Sequence, residues 1–508
     1  MKIPFFKTKR QADIKDDRLE EKKKKEVEQP FSWQISKDIE TFKDIYSLPD
    51  NIDFVVREFT LRMNNKKAVL FFVPSLTDIQ LIQEQIIKPL IMNEKKSEIP
   101  SCISISTIKE ETCMKKAIEE LNSGETVLLV EGETKAFIIK TGKVAGRSVE
   151  KPQNETTLFG PKESFIEKAD VNISLIRKKI RNENFKVEKM SIGNSTNNEV
   201  FLVYQNNLAN KQILKEVKQR INHVKRDDIQ NLELLVQIIE DRKSSLFPTV
   251  LQTERPDRAA SFLEDGHIIL IMNNSPIALI TPATFWTFLH SADDHYLRFI
   301  YGNFTRALRL IAVFITLFTP SIYIAITNYH REMLPADLLL AIAGAREMVP
   351  FPAIIELFLM ELAFELIREA GIRVPAPIGP TIGIVGALIL GQAAVEANVV
   401  SPIVVIVVAI TGLSSFAISD VNLNYAIRIA RFGFLIAASL LGIFGMVGCF
   451  LIGLFYVSVF KSFGVPYFAP MTPKYKSSND TLFRRMIKNE RFRPAYLKTK
   501  DIKKGAAE

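Results

Sequence analysis

The sequence predicts an α/β soluble N-terminal region of two subdomains, followed by an all-α polytopic transmembrane domain. Two observations predict this fold class. Over roughly the first 300 residues short apolar runs alternate with helical patterns, whereas residues 307–460 are strongly apolar. A window of about 19 residues is the measure of a membrane-spanning helix, and several stretches of 307–460 satisfy it.

Composition divides the 508-residue chain into five regions. The N-terminus has no apolar core of a signal peptide, which predicts that the soluble part stays in the cytoplasm. The predicted regions are a disordered polar tail (1–34), cytoplasmic α/β subdomain 1 (35–150), cytoplasmic α/β subdomain 2 (151–298), a transmembrane helical domain (299–462) and a basic cytoplasmic C-terminal tail (463–508).

Charge in the C-terminal tail indicates a membrane surface rather than nucleic acid. Residues 461–508 carry twelve Lys or Arg against four Asp or Glu, in a chain of net charge +9. The tail directly follows a span and lacks the regular aromatic interleaving of a strand-binding surface. The positive-inside rule explains these charges, and Arg306 and Arg309 agree with it at the first span. Both chain ends on one side require an even number of crossings.

The soluble region has α/β patterns and no catalytic motif. AVLFFV (68–73) predicts a buried strand, residues 76–91 a helix, and residues 267–280 a hairpin. LELLVQII (232–239) fits a strand or a helix, and residues 146–161 fit a linker. No Walker loop, dinucleotide-binding glycine motif, nucleophile elbow or HExxH occurs, and the three cysteines match no metal spacing. We expect no enzymatic activity, no cofactor and no metal.

Four stretches predict membrane spans, namely 307–329, 378–397, 402–418 and 432–460. Residues 336–345 are too short to cross alone, and the sequence leaves open a re-entrant helix or an outside loop. The predicted number of crossings is therefore four or six.

The helix predicted over 351–371 is unusually charged for an apolar region. At 100° per residue, Glu361, Glu365 and Glu369 form one stripe and Glu356 lies apart from it, while Arg368 can pair with Glu365. Three charges on a lipid-facing stripe would cost about 2.5–3.5 kcal/mol each. Two alternatives stay open: the helix lies in the membrane interface with its stripe in water, or the stripe faces a pore where symmetric copies attract cations.

Other polar and small residues predict packing. Gly383, Ala387 and Gly391 recur every four residues, which lets helices approach closely in a membrane. Glu396 ends this span as an interfacial or intramembrane polar residue. We place Asp420, Asn422 and Asn424 in a loop before Arg428 and Arg431, which leaves both arginines outside as a mild violation of the positive-inside rule.

Long stretches of this chain resemble a known family. They are GPKESFIEKADVNISLIRKKI (160–180), ERPDRAASFLEDGHIILIMNNSPIALITPATF (254–285) and PFPAIIELFLMELAFELIREAGIRVPAPIGPTIGIVGALILGQAAVEANVVSPIVVIVVAITGLSSF (350–416). Taken in this order, they resemble the A-subunit (GerA) family of bacterial spore germinant receptors.

The resemblance implies a protein of the spore inner membrane with cytoplasmic N- and C-terminal regions. It also implies work with a transporter-like B subunit and a lipoprotein C subunit, and a homo-oligomeric ring that conducts monovalent cations when germinant binds. This favours the pore alternative for Glu361, Glu365 and Glu369. The runner-up is an accessory or scaffold protein, like the SpoVA-associated F protein of spores, that supports another ion or dipicolinate release channel. A secondary transporter is disfavoured, because no inverted repeat is found.

Overall fold

The computed structural model describes residues 30–32, 34–94, 98–142, 151–193, 198–373, 379–475 and 481–504. Most of the predicted polar tail (1–34) and part of the predicted linker (146–161) lie outside the described residues. The N-terminal α/β architecture predicted from the sequence is confirmed.

The first subdomain is a five-stranded antiparallel sheet with helices on both faces. Asp78 caps the helical stretch that follows the second strand by accepting hydrogen bonds from Gln80 and Leu81 N–H groups. Its elements are α1 (Ile35–Ile45), β1 (Val55–Thr60), β2 (Lys67–Phe72), α2 (Ile79–Ile82), a π-helical turn (Gln83–Ile87), α3 (Lys88–Met92), α4 (Ile99–Cys102), β3 (Ile108–Glu111), α5 (Met114–Asn122), β4 (Thr126–Val130) and β5 (Ala136–Ile139).

The second subdomain has the same kind of sheet. The ambiguous stretch LELLVQII is a helix, because Asn231 caps it and its apolar residues face one side. The elements are α6 (Ala169–Arg177), β6 (Phe185–Ile192), β7 (Asn198–Gln205), α7 (Lys211–Asn222), α8 (Leu232–Ile239), β8 (Leu251–Thr253), α9 (Pro256–Asp265), β9 (Ile268–Met272), β10 (Ala278–Thr281), α10 (Phe285–Leu289) and α11 (Asp293–Tyr296).

The two subdomains repeat one topology. The strand orders are β1-β2-β4-β5-β3 and β6-β7-β9-β10-β8, so the first, second, fourth, fifth and third strands lie side by side in each sheet. Every pairing is antiparallel. Each sheet is covered by an apolar cluster on both faces, which explains why β4 and β9 are apolar and buried along their whole length.

The two subdomains meet through buried polar contacts. Arg177 is almost fully buried and donates to the Asn182 carbonyl (2.7 Å) and to Asn122 Oδ1 of the first subdomain (3.0 Å). The Val187 N–H group donates to Asn51 Oδ1 (3.1 Å). These bonds fix the orientation of one sheet against the other, because breaking them would leave buried polar groups unpaired.

The helical domain follows α11. Two of its helices, α12 and α17, are long and apolar enough to cross a membrane by length and composition, and α16 is apolar but shorter. The elements are α12 (Phe299–Tyr329), a 3-10 turn (Arg331–Met333), α13 (Ala336–Arg346), α14 (Ala353–Arg373), α15 (Gly379–Glu396), α16 (Pro402–Phe416) and α17 (Val421–Ser458).

Helix α17 is folded back on itself at Gly442. This glycine has φ 61° and ψ −141°, and a Cβ on Gly445 would overlap the Ala437 carbonyl, eight residues earlier. In a straight helix residues eight apart are separated by about 12 Å. The Tyr329 hydroxyl donates to the Ser439 (2.6 Å) and Leu440 (3.0 Å) carbonyls, which the turn leaves without helical partners. Residues 421–441 and 443–458 therefore form two antiparallel arms.

Both arms of the hairpin pack along α12. The Phe318 ring contacts Phe434 on the first arm (centroids 5.2 Å apart) and Phe450 on the second (5.6 Å). Phe434 lies eight residues before Gly442 and Phe450 eight residues after it, so the two arms lie side by side at this level. Leu423 and Val457, at the outer ends of the arms, belong to one apolar cluster of the second subdomain. The predicted single span at 432–460 is thus part of a helical hairpin.

Contacts among the remaining helices set their directions. Helix α14 runs antiparallel to the first arm of α17, because Leu357 shares a cluster with Leu435 while Glu365 pairs with Arg428. Ile367 of α14 lies beside Gly386 of α15, and Phe364 lies against Gly412 of α16. The described helices α12, α14, α15 and α16 and the two arms of α17 alternate in direction along the chain. The predicted number of membrane crossings stays a prediction.

The loop expected at Asp420, Asn422 and Asn424, before Arg428 and Arg431, is wrong. Asp420 accepts a hydrogen bond from the Leu423 N–H group (2.8 Å) and begins α17 there. Asn422 and Asn424 lie in its first turn, and Arg428 and Arg431 lie within the helix. The N-cap decides this, because a side-chain acceptor at that position satisfies a free helical N–H group.

The segment after α17 returns to the second subdomain. Strands β11 (Lys461–Ser462) and β12 (Val465–Pro466) form a small hairpin. The Val465 and Leu497 side chains join the apolar cluster on one face of the second sheet, and Tyr467 joins the other. We predicted 463–508 as a separate basic tail. In the described residues 463–475 and 481–504, apolar side chains between the basic ones instead bury against that sheet.

Candidate functional site

The start of α12 is joined to the second subdomain by a buried ion cluster. Asp294 of α11 is fully buried, and Arg306 Nε and Arg309 Nη1 each donate to its Oδ2 atom (both 2.9 Å). The Ser291 N–H group donates to the same oxygen (3.1 Å), and Arg309 also donates to the Leu289 carbonyl (3.0 Å). We call Asp294, Arg306 and Arg309 the α12 joint.

Asp294 is charged within this joint. Burial alone would raise the pKa of its carboxyl group. Hydrogen bonds from Arg309 and the charges of Arg309 and Arg306 outweigh burial and hold the pKa below its ordinary value. One carboxylate thus holds two guanidinium groups, which ties α11 to the first turns of α12.

A second contact joins both ends of α17 to the same subdomain. The apolar cluster that contains Phe165 includes side chains from both ends of α17. Ile418 and Leu423 lie around its start, and Val457 and Phe460 lie around its end. Tyr467 follows, and its hydroxyl donates to the Pro248 carbonyl (2.7 Å). Burial raises the pKa of Asp420, the cap of α17, to about 6 against the opposing hydrogen bond of Leu423 and the charge of Arg258.

Within the helices, the structure brings the predicted glutamates against arginines of α17. Arg431 Nη2 lies 2.8 Å from Glu361 Oε2 and 2.9 Å from Glu365 Oε1. Arg428 Nε donates to Glu365 (3.0 Å). Glu361 and Arg431 are buried. These charges face each other inside one chain, and we call these four residues the helical ion cluster.

The other predicted polar residues lie apart from this cluster. Glu356 is fully buried, accepts from the Ser401 N–H group (2.9 Å) and pairs with Arg346 (3.1 Å). Arg368 donates to Ser415 Oγ (2.7 Å) and to the Gly412 carbonyl, whereas Glu365, its expected partner, is held by Arg428 and Arg431.

Two of the glutamates predicted as site residues, Glu369 and Glu396, are exposed. Glu369 is the member of the stripe that stays at the surface, where it pairs with Arg373 (2.7 Å), and Glu396 is exposed at the end of α15. Because α14 and α15 run in opposite directions, these two carboxylates lie at opposite ends of the helical domain.

The small-residue stripe is described in part. Gly391 packs against α16, where a Cβ on it would lie 3.3 Å from Val405 Cγ1. The burial and surroundings of positions 383 and 387 lie outside what the structure describes, so the packing role of Gly383 and Ala387 stays a prediction.

A cleft of about 200 Å³ lies between α9, the stretch 284–296 and the C-terminal segment. His267 lines it and is almost fully buried, and its Nδ1 atom is 3.1 Å from the Phe262 carbonyl. Burial lowers the pKa of His267 to about 4. Among the residues that the structure describes, no three His, Cys, Asp or Glu side chains lie close enough together to hold a metal ion.

Sequence reasoning missed Asp294 and the pairing partners of the glutamates. Arg306, Arg309, Arg428 and Arg431 were interpreted by their side of the membrane, because topology rules count charges without pairing them. A usable signal was present: α14 and α17 each carry opposite charges at helical spacing (Glu361 and Glu365, Arg428 and Arg431).

This architecture defines a protein of two parts. The first part is two α/β subdomains of one topology, and the second is a domain of antiparallel apolar helices. The second subdomain contacts the first and the last of these helices. The family model described as Bacillus/Clostridium GerA spore germination protein matches residues 40–496, and the chain belongs to this family. The resemblance seen in the sequence is confirmed.

Several proteins are similar to this chain. Spore germination protein KA of Bacillus subtilis (strain 168) is 36% identical over 471 residues, which cover 90% of this chain and 86% of that protein. Uncharacterized membrane protein YfkQ of the same organism is 36% identical over 427 residues, 83% of each chain. The crystal structure of the N-terminal domain of the A subunit of the Bacillus megaterium spore germinant receptor GerK3 matches 50% of this chain and 97% of that one, with 25% identity and a TM-score of 0.40.

Proposed function

We propose that this chain is a non-enzymatic, membrane-embedded A subunit of a spore germinant receptor in the spore inner membrane. Its six helical passes cross the bilayer, with both α/β subdomains and the C-terminal segment on the cytoplasmic side. Family membership supports the role in germination. The length and apolar composition of α12, and the apolar composition of both arms of α17, support the membrane.

One observation carries the proposal: the second subdomain holds both ends of the helical domain. The α12 joint fixes the first helix, and Phe460 and Tyr467 fix the last. A change of shape in this subdomain, driven by a partner subunit, would displace α12 and the hairpin of α17 together. The partners we propose are a transporter-like B subunit that binds germinant and a lipoprotein C subunit.

We further propose that several copies assemble into a ring that conducts monovalent cations. In each copy Glu361 and Glu365 are neutralised by Arg431 and Arg428, so they stabilise the helices rather than attract ions. Glu369 and Glu396 are exposed at the two ends of the helical domain, where acidic rings would raise the local concentration of cations.

Liposome reconstitution tests this function. The full-length chain is reconstituted with its B and C subunits, and potassium release is measured when germinant is added. We expect germinant-dependent release by the wild type and a large loss in Asp294→Asn, while Asp170→Asn, at an exposed aspartate of α6, behaves as the wild type. Absence of release from the wild-type assembly contradicts the channel.

The pore charges have their own test. Glu369→Gln with Glu396→Gln should reduce the selectivity for cations over anions while the oligomer still assembles. Glu361→Gln with Glu365→Gln should instead reduce thermal stability, because it leaves Arg428 and Arg431 unpaired. If Glu361→Gln with Glu365→Gln alters the selectivity and Glu369→Gln with Glu396→Gln does not, the proposal is wrong, and Glu361 and Glu365 face the pore.

The second candidate is an accessory protein that supports another ion or dipicolinate release channel. The similarity to YfkQ, which carries no receptor name, keeps this candidate open. Deletion of the chain separates the two functions. Loss of germination with one germinant alone supports a receptor subunit, and a general loss with all germinants supports an accessory role.

A further inference from the structure

Apolar side chains are exposed where the α/β part meets the helices. Ile300 and Phe304 on the first turns of α12 are 81% and 55% exposed. They continue as one stripe through Leu308 and Ile311, which are spaced for a single helix face. An apolar stripe that begins beside the soluble subdomain requires an apolar neighbour.

The C-terminal segment adds a second apolar patch at this level. Phe483 is 52% and Ile487 72% exposed, and Met486 between them is exposed as well. Arg485 and Lys488 are exposed on the same short stretch. Alternating apolar and basic side chains are typical of a surface that inserts between lipid headgroups, because long cationic side chains reach the phosphates while apolar ones enter the acyl boundary.

A buried arginine fixes this stretch against α12. The main-chain N–H group of Arg484 donates to Asn303 Oδ1 (2.9 Å), and Asn303 Nδ2 donates to the main-chain carbonyl of Arg484 (3.2 Å). Arg484 Nη2 also donates to the Leu297 carbonyl (2.7 Å). The stretch around 483–488 therefore lies at the height of the first turn of α12.

The length of α12 gives that height. Its 31 residues extend about 46 Å at 1.5 Å per residue, close to the roughly 40–45 Å of a bilayer with both headgroup layers. If the apolar centre of α12 lies in the acyl chains, its first turns lie among the headgroups. The stretch held there by Arg484 lies at the same depth.

We propose that Ile300, Phe304, Phe483 and Ile487, with Arg485 and Lys488, form a surface that binds the headgroup layer of an anionic bilayer. This surface seats the second subdomain on the membrane beside the α12 joint, so the joint moves relative to a fixed plane. The inference rests on the proposed membrane function and adds to it a lipid contact outside the spanning helices.

Depth-dependent fluorescence quenching tests the surface. Single variants Ile487→Trp, Ile311→Trp and Met92→Trp of the full chain are placed in nanodiscs of phosphatidylcholine with 30% phosphatidylglycerol, with or without lipid brominated on the acyl chains. We expect at least twofold quenching of the added signal for Ile487→Trp and Ile311→Trp. Met92 is an exposed residue of the first subdomain, and its variant should not be quenched.

The same variants distinguish failure of the lipid surface from failure of the proposed membrane function. If Ile311→Trp is quenched and Ile487→Trp is not, the lipid surface is overturned and the spanning helix stands. If neither is quenched, the membrane function itself fails. If Ile487→Trp is quenched only in the absence of the B and C subunits, the surface is a protein interface and the proposal is overturned.

The anionic requirement has a separate measurement. Adding Arg485→Gln and Lys488→Gln to Ile487→Trp should reduce the quenching about twofold in anionic discs and leave it unchanged in pure phosphatidylcholine discs. Equal quenching of both proteins in anionic discs overturns the role of the two basic residues.

Discussion

The two α/β subdomains have one strand order but different neighbours. In the first, buried polar residues such as Asn122 face the second subdomain. In the second, Asp294 and Tyr467 extend the same architecture into the helical domain. A shared topology therefore does not give the two units a shared role. Additions at the end of the second repeat, α11 and the returning C-terminal segment, turn it into the connection to the helices.

The largest expected effect on stability comes from replacing a buried aspartate, and one such aspartate in each subdomain allows the two subdomains to be compared. Asp294→Asn removes the buried carboxylate that pairs with Arg306 and Arg309 and should destabilise the protein by about 3–5 kcal/mol. Asp53→Asn of the first subdomain keeps one acceptor, for the Ser75 N–H group, and its amide nitrogen can donate to the Ser75 hydroxyl, so it should cost about 1 kcal/mol. Thermal unfolding of the full-length protein in detergent measures both. Equal losses would mean that the two units contribute alike.

The helical ion cluster should respond somewhat less. Arg431→Gln leaves Glu361 buried and unpaired, at an expected cost of about 3 kcal/mol. Adding Glu361→Gln should recover a large part of the loss, because no lone buried charge then remains at that pair. Arg373→Gln is the matched control: it breaks an exposed pair with Glu369, which is worth at most about 1 kcal/mol. A double variant as unstable as Arg431→Gln alone would refute the pairing.

The contact between the subdomains should show a smaller effect. Arg177→Met removes two buried hydrogen bonds, including the one to Asn122, and should cost about 2 kcal/mol. Hydrogen exchange of α5 in the first subdomain should become faster, while Arg181→Met at an exposed position leaves it unchanged. Unchanged exchange in Arg177→Met would show that other contacts hold the two units together.

The smallest effect is a pH dependence specific to the second subdomain. The pKa of His267 is about 4 in the folded protein and about 6.5 in the unfolded chain, so the unfolded chain binds more protons between these values. His267 should thus lower stability by about 1 kcal/mol from pH 7 to pH 5.5, a contribution that the raised pKa of Asp420 opposes over the same interval.

Two variants isolate this dependence. His267→Asn should remove the fall in stability that His267 causes between pH 7 and pH 5.5, so its stability at pH 5.5 relative to pH 7 should be about 1 kcal/mol higher than that of the wild type. His223→Gln, at an exposed histidine, should retain the slope. The same slope in His267→Asn and the wild type would assign the titration to another group.

Much of the α/β part could be predicted from the sequence, because buried strands such as AVLFFV and capped helices are local patterns. The repeat of one topology could not, since strand order depends on pairings between distant segments. For the same reason the C-terminal segment was predicted as a tail: its basic residues dominate its composition, while Val465, Tyr467 and Leu497 bury only in the folded unit.

The helical part was harder to predict. A hydropathy window sees one apolar run at 432–460, because both arms of the hairpin have the same composition. Among the glycines of that run only Gly442 has a positive φ, and a sequence does not distinguish it from Gly445 or Gly448. Helical periodicity places Glu361 and Glu365 on one face, as the structure shows, whereas Glu369, the third glutamate of the predicted stripe, pairs with Arg373 at the surface. Its partners Arg428 and Arg431 lie more than sixty residues away and required the three-dimensional arrangement.

The return of the chain to the second subdomain sets an order of events during synthesis. Phe165 and the strands of the second sheet leave the ribosome long before Val465 and Tyr467, which complete the apolar clusters on its two faces. The helices α12 to α17 are synthesised between them. The apolar clusters of this subdomain are complete only when the last residues arrive, so a chain cut short after α17 keeps the helices and lacks the side chains that close both faces of the second sheet.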